Sequence, residues 1–146
     1  MRPRSVGLAV FAVAVLTGCG SVSASVIDLR RDAGAICRHT NRAFRPLPAL
    51  PPQGQAGAFL SAGMARLRAQ LARLRRVSPP HNVADVYQAA LAAMGQELDA
   101  LQNAVRAIRR GEDPAMAFKE LKQQLTPLQS QADNAWQALE IPACLQ

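Results

Sequence analysis

Three cysteines and two histidines are the side chains in this sequence best suited to nucleophilic or metal chemistry. His39 follows Cys37 by two residues, so on a helix their side chains point about 200° apart and cannot bind one metal ion together. His81 lies in a Pro-Pro-His-Asn turn, where an exposed or capping role is the simpler interpretation. The sequence therefore predicts no catalytic residue, no metal site and no cofactor.

Other motifs for catalysis or nucleic-acid binding are missing from the sequence. It contains no phosphate-binding glycine loop, no G-x-S-x-G elbow and no H-E-x-x-H pair. Its basic residues have no interleaved aromatic residues, which argues against a nucleic-acid partner. Met64 and Met94 lie on apolar helical stripes and are predicted to fill a core. Trp136 is interpreted as a packing residue, with a ligand groove as the alternative. We expect a protein that is not an enzyme.

The N-terminal segment has the layout of an export signal. Arg2 and Arg4 precede the uncharged stretch Val6–Leu16, whose eleven residues would span only about 16 Å as a helix. That is roughly half the thickness of a bilayer core, so the stretch predicts a signal peptide rather than a membrane-spanning helix. Without these two arginines, 15 basic residues remain against 10 acidic ones. This basic surplus is compatible with anionic lipids or cell-wall polymers as neighbours.

The tetrapeptide Leu16-Thr17-Gly18-Cys19 resembles the lipobox of bacterial lipoprotein precursors. The resemblance implies that the Cys19 thiol receives diacylglycerol and that the chain is cut before Cys19. Residues 1–18 would then be the signal peptide and residues 19–25 an acylated tether on the outward face of the cell membrane. The alternative is ordinary signal peptidase, since Val22-Ser23-Ala24 fits its small-x-small pattern and would release a secreted protein starting at Ser25.

Cys37 and Cys144 remain once Cys19 is lipidated or removed. An even pair of cysteines in an oxidising compartment predicts a disulfide. It would close a loop of about 107 residues, for which loop-closure entropy gives up to roughly 4.7 kcal/mol. The competing interpretation is a reactive or metal-binding thiol, and neither cysteine lies in a C-x-x-C motif.

Residues 26–146 are predicted to form an all-α domain, an up-down-up-down bundle of four amphipathic helices. Prolines at 46–52 and at 79–80 separate the segments, and Gly111 ends the third helix. Asn82 is expected to cap the third helix, together with Asp85, and Asp113-Pro114 to open the fourth. Pro127 predicts a kink or a break in the fourth helix. The predicted helices are about Val26–Phe44, about Gln55–Val77, Asn82 to Gly111, and Asp113 to about Leu139.

A disulfide between Cys37 and Cys144 would join the end of the domain to the middle of the first helix. It predicts that Val26 to about Asp32 project or pack loosely. The second helix would run toward the same end and bring three arginines close to the lipid headgroups. Their contact with an anionic surface is a hypothesis, and a solvated polar face is the alternative. These arginines are Arg73, Arg75 and Arg76.

The layout of the chain resembles small helical lipoproteins of high-GC Gram-positive bacteria. The matching features are an early Cys37, the proline linker Pro46–Pro52, arginine-rich leucine heptads and the closing stretch Leu139–Cys144. The resemblance implies no activity. We expect a non-catalytic envelope component, anchored by its lipid, that binds a protein or an anionic polymer. A carrier that holds a small apolar ligand between its helices is the alternative.

Overall fold

The computed structural model describes residues 25–44 and 55–145, and all of its regular structure is helical. The predicted all-α class and the number of helices are confirmed, and no strand occurs within these two ranges. The predicted signal peptide, Cys19, the tether before Ser25 and the proline linker lie outside the described residues. The helices are α1 (Val26–Phe44), α2 (Ala56–Leu74), α3 (Ala84–Arg109) and α4 (Pro114–Ala138), with 3₁₀ turns at His81–Val83 and Pro142–Cys144.

α1 begins at a Ser25 cap. The Ser25 hydroxyl accepts a hydrogen bond from the Asp28 amide at 3.0 Å and donates one to the Asp28 carboxylate at 2.7 Å. This hydroxyl satisfies an amide that has no partner within the helix, as cap residues do. The hydrogen bond that the Ser25 hydroxyl donates to the Asp28 carboxylate holds the pKa of Asp28 below its ordinary value.

The predicted cap at the start of α3 is wrong. A 3₁₀ turn precedes the helix, and Val83 occupies the cap position without any side-chain hydrogen bond. The reason is local: Pro80 is extended, and its carbonyl accepts a hydrogen bond from the Val83 amide at 3.1 Å. The chain has therefore already begun to turn at Asn82, which lies within the 3₁₀ turn rather than at the cap.

The connection between α3 and α4 follows its sequence pattern closely. Gly111 has a φ of +89°, a left-handed conformation that favours glycine, and it follows the last residues of α3. The Asp113 carboxylate accepts a hydrogen bond from the Ala115 amide at 3.0 Å, and Pro114 is the first residue of α4. The predicted end of α3 at Gly111 and the predicted start of α4 at Asp113-Pro114 are both confirmed.

α4 runs through Pro127 without interruption, so the predicted break is wrong. A proline removes one amide and leaves the carbonyl four residues earlier, here that of Gln123, without its usual partner. Gln123 and Pro127 are both exposed. Water can therefore satisfy this carbonyl, and the helix continues. A bend short of a break stays a prediction.

The buried side chains form two clusters. The larger cluster takes residues from all four helices and from the C-terminal turn, and α1 contributes Leu29, Ala33 and Cys37 to it. The smaller cluster comes from α2, α3 and α4 alone, around Leu60, Val105 and Leu121. α3 packs against α2 and α4, whereas α1 packs mainly against α2 and the C-terminal turn. α1 therefore packs on the half of the domain that contains the larger cluster and not on the half that contains the smaller one.

Tyr87 and Trp136 form an edge-to-face pair inside the larger cluster. Their ring centroids are 5.8 Å apart, the ring planes are inclined at 77°, and both side chains are fully buried. Trp136 is thus a packing residue, the first of the two interpretations of its position. The Tyr87 hydroxyl donates a hydrogen bond to the Leu74 carbonyl at 2.7 Å, which ties α3 to the end of α2. Burial raises the pKa of Tyr87 to about 12.

Tyr87 is the sole tyrosine, so ultraviolet absorbance should follow its ionisation alone. We expect a midpoint near pH 12 in the folded protein and near pH 10 in urea, where the ring is exposed. Because folding raises this pKa, the stability that it contributes is present below about pH 10 and is lost as pH rises through about 12. Circular dichroism at each pH is the control for folding. A midpoint near pH 10 in the folded protein would contradict the buried phenol.

Candidate functional site

The described residues provide neither a membrane-spanning helix nor a metal-binding cluster. Within residues 25–44 and 55–145, no helix is both long enough and apolar enough to cross a bilayer. The same ranges contain no group of three or more histidine, cysteine, aspartate or glutamate side chains placed to hold a metal ion. His39 and His81 are both exposed, on α1 and in the first 3₁₀ turn.

Cys37 and Cys144 are brought together as the cysteine count predicts. Their sulfur atoms are 2.00 Å apart, their Cα atoms are 5.1 Å apart, and both residues are buried. Cys37 lies on the face of α1 that enters the core, and Cys144 lies in the C-terminal turn. The Gln70 side-chain amide approaches the Cys37 sulfur at 3.4 Å, so α2 also contacts the disulfide.

Residues 139–144, which we call the C-terminal clamp, run along α1. At one end of the clamp, the Arg30 guanidinium donates to the Leu139 carbonyl and pairs with the Glu140 carboxylate, both at 2.9 Å. At the other end, the Asn41 amide donates to the Ala143 carbonyl at 3.0 Å. The clamp therefore holds α1 over three turns of helix.

Glu140 gives the chain its change of direction after α4. Its φ is +56°, which is uncommon for a residue other than glycine. The Glu140 amide donates to the Gln137 carbonyl and the Ile141 amide to the Trp136 carbonyl, both at 2.9 Å. These two hydrogen bonds are the Schellman pattern, which satisfies the last carbonyls of a helix. They place Ile141 in the core under α1.

The first turns of α1 do not project from the domain, so this sequence-based prediction is wrong. Leu29 is 1% exposed and belongs to the larger core cluster. Arg30 is held by the two hydrogen-bonded contacts to the clamp. The prediction placed Cys144 at the end of the domain, level with the middle of α1. The clamp instead runs alongside α1 and contacts its first turns as well as Cys37.

Arg73, Arg75 and Arg76 lie together where α2 ends, and we call these three residues the basic turn. α2 ends at Leu74, earlier than predicted. The Arg76 amide then bonds to the Arg73 carbonyl at 3.1 Å, and the Val77 amide to the Leu74 carbonyl at 3.0 Å. All three arginine side chains are exposed. Among the described residues none of the three has an ion-pair partner, in contrast to Arg30 and Arg31.

A groove of about 230 Å³ lies between α3 and α4, near the loop that joins them. Several of its polar side chains already bond to one another, as in the ion pair of Arg110 with Glu112 at 2.9 Å. Gln124 donates to Glu120 at 3.3 Å in the same way. This wall is polar and internally bonded, so it does not resemble an apolar ligand cavity. The remaining lining residues are Ala100, Asn103, Ala104, Ala107, Ala117 and Leu121.

Glu97 is a buried carboxylate that the sequence analysis missed. It is 3% exposed and lies in α3 between the core residues Met94 and Leu98. It is not without an interaction partner in the structure. Its position three residues after Met94 places it on the apolar face of the helix, and this spacing was the signal that marked it.

Comparisons with protein families, with curated proteins and with solved structures find no match for this chain. The interpretation of the site therefore depends on its own residues: a bridged cysteine pair, the C-terminal clamp and the basic turn.

Replacing both bridged cysteines, as Cys37→Ser with Cys144→Ser, should lower the free energy of unfolding in urea by about 2 to 4.7 kcal/mol. The physical reason is the long loop that the disulfide closes, which spans 107 residues of sequence. Adding a reductant should bring the wild type to the same midpoint. Asn41→Ala is the matched control, since it removes one exposed hydrogen bond of the clamp and should cost only about 1 kcal/mol. Equal midpoints for the wild type and the double variant without reductant would contradict a stabilising role for the disulfide.

Proposed function

We propose that this chain is an exported lipoprotein, anchored through Cys19, that acts as a non-catalytic binding or structural module at the outer face of the cell membrane. The observation that carries the proposal is the pairing of Cys37 with Cys144. The chain has three cysteines, and this pairing leaves Cys19, the cysteine of the lipobox-like tetrapeptide, as the one available for lipid.

The buried disulfide supports export. Disulfides persist in oxidising compartments outside the cytoplasm and are rare where thiols are kept reduced. Here the bridge is buried and joins α1 to the C-terminal clamp, so it belongs to the core rather than to an exposed redox motif. An exposed C-x-x-C pair would instead have favoured thiol chemistry.

The position of Ser25 supports a short tether. Ser25 follows Cys19 by six positions in the sequence, and an extended chain of that length spans at most about 20 Å. Two or more acyl chains on Cys19 would hold the domain stably within this distance of the bilayer. Cleavage after Ala24 would instead release a secreted protein that begins with its own helix cap.

A binding or structural role is favoured over catalysis and over ligand transport. Both cysteines of the described residues are joined in the bridge, so neither offers a free thiol, and both histidines are exposed. The groove between α3 and α4 has a polar wall, whereas a carrier of an apolar ligand needs mostly apolar walls. We propose an envelope protein or an anionic polymer as the partner.

We further propose that the four helices are arranged up-down-up-down. Arg66 of α2 donates to the Ala43 carbonyl near the end of α1, and Gln70, farther along α2, approaches Cys37, earlier in α1. Positions thus advance along α2 as they recede along α1, which is the pattern of antiparallel neighbours. The hydrogen bond from Tyr87, early in α3, to Leu74, at the end of α2, supports the same relation for the next pair.

Intact-mass analysis of protein purified from native membranes tests the anchor directly. We expect an N-terminal Cys19 that carries diacylglycerol, and incorporation of an alkyne-labelled fatty acid that Cys19→Ala abolishes. The double variant Cys37→Ser with Cys144→Ser is the control and should incorporate label like the wild type, because its lipobox is intact. A mature chain that begins at Ser25, or a free thiol at Cys19, would disprove the lipid anchor.

Chemical crosslinking in intact membranes, followed by purification of the lipidated protein, tests the binding role. We expect a stable crosslinked partner, either a protein or a wall polymer. The Cys19→Ala chain, made in the same cells, is the control and should lose this product because it is not held at the membrane surface. Recovery of the wild type without any partner would count against a binding module.

A further inference from the structure

We propose that the basic turn is a membrane-docking surface that binds anionic phospholipid headgroups and orients the domain on the bilayer. This inference rests on the proposed lipid anchor at Cys19 and adds a second contact with the same membrane. The three arginines involved are Arg73, Arg75 and Arg76.

The basic turn is available for binding. All three side chains are exposed, and none forms an ion pair or a side-chain hydrogen bond with another described residue. Their backbone is held by the amide hydrogen bonds that close the end of α2. Leu74, within the same turn, is fully buried. Three guanidinium groups without ion-pair partners among the described residues are therefore presented from a fixed backbone, with that of Arg75 lying near Gly95 of α3. Arginine binds phosphate through paired N–H donors.

The basic turn lies at the end of the domain where the tether begins. The contacts of Arg66 with Ala43 and of Gln70 with Cys37 indicate that α1 and α2 run in opposite directions. One further turn along α2 therefore reaches the first half of α1, which starts after Ser25. Because the tether spans at most about 20 Å, the acyl chains hold this end of the domain close to the headgroups.

The acidic side chains near the start of α1 and in the clamp are paired with arginines of α1. Three of them are already engaged, Asp28 and Asp32 with Arg31, and Glu140 with Arg30. Asp85, in the first turn of α3, is a further acidic group and is exposed. None of these carboxylates pairs with the basic turn, whose three positive charges are therefore open to an anionic leaflet.

A second group of arginines provides an internal control. Arg106, Arg109 and Arg110 are also exposed, at the end of α3. They adjoin the loop to α4, which lies at the end of α3 opposite to Tyr87 and Leu74. A membrane contact at the tethered end should therefore protect the basic turn and leave these three arginines accessible.

The first measurement is arginine modification by phenylglyoxal, read by peptide mass spectrometry. The native lipidated protein is reconstituted in vesicles of phosphatidylcholine with or without phosphatidylglycerol. We expect several-fold slower modification of the basic turn on the anionic vesicles and unchanged rates at Arg106 and Arg109. Salt at about 1 M, where the screening length falls to about 3 Å, should remove the difference. Equal rates for the basic turn on both vesicles would overturn the proposal.

The second measurement is the rate at which the lipidated protein transfers between vesicles, followed by energy transfer from a lipid probe. Each arginine near a charged leaflet contributes about a fivefold gain in affinity, so the wild type should leave anionic vesicles up to about a hundredfold more slowly than neutral ones. Replacing Arg73, Arg75 and Arg76 with Gln should abolish this difference. Replacing Arg106, Arg109 and Arg110 with Gln, the same change in net charge, should preserve it. An equal loss in both variants would overturn the proposal.

The outcomes separate this inference from the function on which it rests. Intact mass of the same preparation reports whether Cys19 carries lipid, and an unmodified Cys19 would overturn both proposals. Lipidated protein without protection of the basic turn would overturn the docking surface alone. Protection by an acidic wall polymer but not by anionic vesicles would also overturn it and assign the surface to the polymer.

Discussion

The attachment of α1 to the C-terminal clamp is the constraint on which the rest of the structure depends. α1 packs mainly on α2 and on the last residues of the chain, rather than on α3 or α4. The disulfide and the contacts of Arg30 and Asn41 with the clamp join segments that are more than a hundred residues apart in sequence. The larger core cluster, which contains the Tyr87–Trp136 pair, also includes side chains from α1.

The two core clusters divide the domain into halves of different construction. One half has four helices, the disulfide and the aromatic pair, whereas the other has three helices around Leu60, Val105 and Leu121. Ring side chains make up only 4% of the sequence, so most of the packing comes from leucine and alanine. The aromatic pair and the covalent bridge lie in the same half, which concentrates the strongest stabilising contacts at the proposed membrane end.

Charge is distributed in a way that distinguishes structural arginines from free ones. Arg30 is engaged with the Leu139 carbonyl and the Glu140 carboxylate and helps to hold α1 in place. Arg31 pairs with Asp28 and Asp32 within α1 itself. The basic turn is built without such partners in the described part of the chain, although it lies at the same end of the domain. Exposed ion pairs contribute little to stability, so leaving the basic turn unpaired costs the fold little. Its arginines are then available for a partner outside the chain.

The sequence by itself determined the helical class, the bounds of α1, the α3–α4 connection and the pairing of two cysteines. These follow from rules that involve neighbouring residues or a simple count: apolar spacing, glycine after a helix, aspartate before Pro114, and the two cysteines that remain once Cys19 is set aside. Only the tertiary structure decided that Leu29 is packed, that Glu97 is buried, and that α4 continues through an exposed Pro127. Those outcomes depend on which surfaces meet and which face water, and the spacing of residues along one helix does not contain that information.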